Sequence, residues 1–162
     1  MKRLLGVVVA LVLVGSCVVA QEASFNGKWV LVKEKSTDID SYQMLTLEFE
    51  VSPDTVVIRQ EWGRNKIVDT MTLKTDGTRR QADIPDRLLP SNIYLGVKVP
   101  VEKKKEVTAV WQGNLLKVSE RYPVISSQGT RTLLVEHTYE LNREKNAIIY
   151  RWKRDTRTAG PE

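Results

Sequence analysis

The sequence predicts a mainly β protein, folded as an antiparallel up-and-down barrel of about eight to nine strands. Three observations lead there. Apolar and polar residues alternate with period two in at least six separate segments. Turn-forming residues punctuate those segments. No apolar pattern of helical period runs beyond two turns after the first twenty residues.

The chain opens on a different pattern. Met1, Lys2 and Arg3 precede an apolar run over residues 4–14, and small residues follow. Charged, apolar, then small is the order of a secretory signal, expected to be helical and to be removed. Two processing routes are open. Val18-Val19-Ala20 suits cleavage after Ala20, leaving residues 21–162 as one domain. Val14-Gly15-Ser16-Cys17 resembles a bacterial lipobox, in which Cys17 becomes a lipidated first residue tethered to a membrane surface. The expected location is therefore periplasmic or secreted, or the envelope surface through a lipid on Cys17. Cys17 is the only cysteine, so no disulfide is expected in the folded domain.

Loss of residues 1–20 removes two of the 25 Lys and Arg and none of the 20 acids, which lowers the net charge from +5 to +3. Both signs are interspersed, which argues against a nucleic-acid partner. The elements then follow in order. Residues 27–31 form a first strand, and the polar stretch 33–41 a loop or one helical turn. Leu45, Leu47, Phe49 and Val51 share one face of a second strand. Ser52-Pro53-Asp54 turns the chain into Val56–Trp62, and Gly63-Arg64-Asn65 into Ile67–Thr75. Asp76-Gly77 reads as a hairpin signal. Residues 83–101, with Pro85, Pro90 and Pro100, read as a long covering loop. The charge run Glu102-Lys103-Lys104-Lys105-Glu106 reads as a solvated turn. Strands follow at 107–112, 115–122, 130–141 and 147–154, with a frayed tail after about 155.

Phe25-Asn26-Gly27-Lys28-Trp29-Val30-Leu31 carries a resemblance. A Gly-x-Trp opening the first strand resembles the start of lipocalins and the wider calycin group. With Lys35-Ser36 it is also similar to a group of small exported bacterial proteins of lipocalin-like type. The resemblance implies an eight-stranded barrel with Gly27 and Trp29 at its closed end. It further implies a basic residue from the last strand, Arg151 or Arg154, packed across the Trp29 indole. It implies a binding protein for a small apolar or aromatic ligand held inside. The alternative is an envelope structural or protein-interaction module with a solid core, partnered by another envelope protein.

The chemistry legible in the chain is sparse. His137, the only histidine, shares a face with Leu133, Val135, Tyr139 and Leu141. It reads as a polar handle inside the barrel or as a core histidine bonded to a neighbouring hydroxyl or carbonyl. His137, Tyr139, Trp62 and Trp111 are the candidate ligand contacts, and such aromatic positions equally serve core packing. Asp69 lies in phase with Ile67, Met71 and Leu73, and would need a cationic partner such as Arg59 or Arg121. Asp38 and Asp40 lack the glycine and distal glutamate of a calcium loop. One histidine and no cysteine after residue 17 cannot make a zinc site. Neither a phosphate loop nor a nucleophile elbow is present, so no catalytic residue, cofactor or metal is expected.

Overall fold

Alternation of side chains turns each segment into a strand with one wet and one dry face, and the dry faces meet in two antiparallel sheets. The computed structural model describes residues 25–37, 44–63, 65–84, 102–127 and 129–155. The expected signal segment, Cys17, Asp38, Asp40, residues 85–101 of the long loop and the tail beyond 155 lie outside the described residues.

The first sheet contains β1 (Gly27–Val30), β2 (Leu45–Val51), β3 (Thr55–Trp62) and β4 (Ile67–Lys74), side by side in chain order. The second contains β5 (Arg80–Asp83), β6 (Lys104–Gln112), β7 (Leu115–Ser126), β8 (Gly129–Asn142) and β9 (Ala147–Asp155), again in chain order. A 3-10 turn, Lys33–Lys35, follows β1. Every ladder is antiparallel, as short turns between neighbouring strands require.

Asp76-Gly77 does not close a hairpin. β4 pairs with β3, β5 pairs with β6, and Asp76 sits where the chain passes between the sheets. It forms an isolated bridge with Val110, and the Gly77 amide donates to the Ala109 carbonyl at 2.9 Å. The Arg80 guanidinium grips the Asp76 carboxylate through two bonds of 2.7 and 2.6 Å. That grip holds the carboxyl well below the usual carboxylate range. A sequence that reads as a tight turn is here a stitch joining one sheet to the other.

The main core lies between the sheets. Leu45, Leu47 and Phe49 of β2 with Val56 and Ile58 of β3 meet Ala109, Leu116, Val118 and Tyr139 of the second sheet. A second apolar cluster of Ile84, Tyr122, Val124, Leu133 and Val135 occupies the far part of the long strands β7 and β8.

Phe25 explains the first motif. It is fully buried, with its ring edge-on to Phe49 at 5.8 Å and to Trp111 at 4.9 Å, so it joins the two sheets. The chain must then turn sharply into β1. Gly27 makes that turn at φ +118°, a conformation that strains any residue with a β-carbon. The Trp29 indole N–H donates back to the Phe25 carbonyl at 3.0 Å, and the Val51 amide donates to Oδ1 of Asn26 at 2.6 Å. Trp29 itself is only half-buried.

Phe25→Ala is therefore expected to cost about 3–5 kcal/mol of stability, and Trp29→Ala less. Urea denaturation of the two variants measures the order. A Trp29 variant that loses more than the Phe25 variant would contradict this assignment of the anchor.

A buried ionic network as candidate site

Period two also brings charges indoors. Lys105 stands in phase with Val107, Ala109 and Trp111 on β6, and Glu120 in phase with Leu116, Val118 and Tyr122 on β7. His137 occupies the same inner face of β8. Lys105 is 5%, Glu120 2% and His137 3% exposed. The expected solvated turn at 102–106 is corrected here: β6 begins at Lys104, and the next residue is driven into the interior by its strand phase.

The geometry is dense. Nζ of Lys105 lies 2.6 Å from Oε1 of Glu120 and 3.2 Å from the Tyr122 hydroxyl. The Tyr122 hydroxyl donates to Oε2 of Glu120. Nε2 of His137 is 3.4 Å from the same oxygen, a long contact with more charge–dipole attraction than hydrogen bond in it. Nδ1 of His137 is 2.9 Å from the Tyr150 hydroxyl on β9. Burial alone would raise the Glu120 carboxyl. The facing His137 N–H and the Lys105 ammonium outweigh it and hold the carboxyl down, to about 2. An ionised Glu120 only accepts, which favours the tautomer with the proton on Nε2 of His137; in that tautomer Nδ1 accepts from the Tyr150 hydroxyl.

The network parts the two apolar clusters. Val118 and Tyr139 lie on one side, and Val135, Leu133 and Trp152 on the other. Tyr139 is stacked parallel to Tyr150 at 4.8 Å and edge-on to Phe49 at 5.3 Å. His137 stacks parallel to both tyrosines, at 6.3 and 6.0 Å. Trp62 is buried at the β2–β3 end and Trp111 beside Phe25. Their indole N–H groups have no hydrogen-bond acceptor among the described residues.

The four expected contact residues thus share the interior: His137 belongs to the network, Tyr139 to its aromatic border, and Trp62 and Trp111 to the apolar core. The basic residue expected across Trp29 is placed otherwise. Arg151 is on the outer face of β9 and reaches Glu140 at 2.8 Å. The Arg154 guanidinium lies 5.7 Å from the centre of the Trp152 ring. Asp69 faces inward but is half-buried, whereas Arg59 and Arg121 pair with Glu48 and Glu106. Among the described residues no three His, Cys, Asp or Glu side chains could hold a metal ion.

The sequence reading missed Lys105, Glu120, Tyr122 and Tyr150 as a group around His137. The available signal was phase: Glu120 alternates with apolar neighbours, and extending the β6 alternation back from Val107 turns Lys105 inward.

A depressed carboxyl ties stability to pH with a definite sign. Glu120 stabilises the fold fully above the ordinary carboxylate range, and that contribution is lost as pH falls from about 4.5 towards about 2. Acid titration of the unfolding free energy is expected to show a loss on the order of 3 kcal/mol across that window, absent in Glu120→Gln. An unchanged acid limb in that variant would remove Glu120 as the cause. Searches against family models, curated proteins and solved structures find no match to this chain, so the network is read from its own chemistry.

Proposed function

We propose that the chain is an exported binding protein of lipocalin-like type, taking a small apolar or aromatic ligand between its sheets. In this reading the two sheets are the walls of an up-and-down barrel. The observation that carries it is the pair of buried indole donors, Trp62 and Trp111, left without acceptors among the described residues of an aromatic interior. Buried donors are nearly always satisfied, and one left unmet in an apolar surrounding costs about 1–3 kcal/mol. A ligand with an apolar or ring-shaped body and a carbonyl or ether oxygen would meet both requirements. His137 and Tyr139 border the same interior and supply a polar handle and a stacking face.

A second reading, an envelope protein-interaction module with a solid core, has its own support. Phe25, Phe49, Tyr139 and Trp111 contact one another ring to ring, as in a filled core. Val30, Val32 and Met44 are exposed, and a cleft of about 300 Å³ beside them is lined by Val30, Met44, Trp62, Lys33 and Lys66. That surface would receive the partner.

Titration with apolar and aromatic carbonyl compounds, followed by tryptophan fluorescence, tests the first reading. Saturable quenching is expected, weakened at least tenfold in Trp111→Phe, which keeps a ring but removes the donor. Quenching unaffected by Trp111→Phe and Trp62→Phe would contradict it, as would no response across the panel.

A further inference from the structure

The network ends in a phenol with an unusual backing. The Tyr150 hydroxyl lies 2.9 Å from Nδ1 of His137, the other ring nitrogen faces Glu120 at 3.4 Å, and Glu120 is fixed by Lys105 and Tyr122. A hydroxyl, an imidazole and a carboxylate in that order form the arrangement that activates a nucleophile. The base accepts the hydroxyl proton, and the carboxylate orients the base and stabilises its cation. Here the carboxylate is itself held in place by Lys105 and Tyr122, which favours the tautomer that leaves Nδ1 to accept.

The ring is fixed as well. Tyr150 lies within 6° of parallel to both Tyr139 and His137, so its ring orientation is held by stacking on either neighbour. Position distinguishes Tyr150 from the rest of the chain of contacts. Glu120 and His137 are sealed, whereas Tyr150 is half-buried on β9, a strand whose only ladder among the described residues is with β8. Tyr150 is thus the least sealed of the three groups.

We propose that Tyr150 is a nucleophile that captures an activated acyl group, as an aryl ester or thioester, with His137 as the base and Glu120 as the positioning residue. In the step, the phenolic oxygen bonds to the acyl carbon and its proton passes to Nδ1 of His137. The carbon–oxygen or carbon–sulfur bond to the leaving group breaks, and that group departs with the bonding electron pair. The products are an acyl ester on Tyr150, an imidazolium facing the Glu120 carboxylate, and an aryloxide or thiolate. The reaction is a single capture, needing no oxidant or reductant. It stands independently of the non-covalent ligand reading, which rests on Trp62 and Trp111.

The test mixes the exported protein with p-nitrophenyl acetate. A burst of one equivalent of nitrophenolate is expected, with the acetyl group mapped to Tyr150 by peptide mass. Tyr150→Phe keeps the ring stack but leaves Nδ1 of His137 without that partner, so it is expected to abolish the burst in a protein that still folds, at a somewhat lower melting temperature. His137→Ala is expected to slow acylation about a hundredfold or more, with partial rescue by added imidazole, which restores a base and not a packing contact. Acetyl found only on lysines, a burst that survives in Tyr150→Phe, or no burst in the parent protein would each overturn the proposal.

Discussion

Lys105 and Glu120 carry opposite charges where almost no water reaches either, and the arrangement of the second sheet follows from keeping them together. An ion taken from water into a protein interior loses several kcal/mol of solvation, and attraction offsets this only with close partners for the remaining polar atoms. Tyr122, His137 and, beyond it, Tyr150 are those partners. They come from three neighbouring strands, so the registers of β7, β8 and β9 must all be correct for the charges to be satisfied. A slip of one residue would turn Glu120 outward and leave Lys105 buried alone. The pair therefore selects register as well as occupying space.

The apolar parts of the interior are divided by this layer. On one side Phe25, Phe49 and Tyr139 bring the two sheets together; on the other, Tyr122, Val124 and Leu133 form a smaller cluster on β7 and β8. A protein needing only stability would do as well with leucines at the junction, because well-packed apolar substitutes for a buried ion pair are commonly neutral or stabilising. What the network adds over leucines is a fixed set of polar partners running from Lys105 and Glu120 through Tyr122 and His137 to the Tyr150 hydroxyl.

Much of the fold was legible because strand alternation is a local property. The phase of Leu45, Leu47 and Phe49 gave β2 its inner face, and Ser52-Pro53-Asp54 is a real turn between β2 and β3. Asp76-Gly77 misled because a turn pair fixes local backbone direction and says nothing about which strand comes next. The site was harder to see. Lys105 sits inside five consecutive charged residues, and composition masked its phase. The contact of Glu120 with His137 runs diagonally across a ladder in which Glu120 faces Val135 and His137 faces Val118, so it depends on a register that no single segment specifies. Trp29 drew attention through its motif, while the neighbouring Phe25 carries the packing.

Lys105 and Glu120 form one energetic unit, each satisfying the other's buried charge. A double-mutant cycle with Lys105→Met and Glu120→Leu tests it most directly. Each single change leaves an unpaired buried charge and is expected to cost about 3–5 kcal/mol, whereas the double variant should lose at least about 2 kcal/mol less than the two single losses summed. Strictly additive losses, with the double variant as unstable as the two single changes summed, would contradict it.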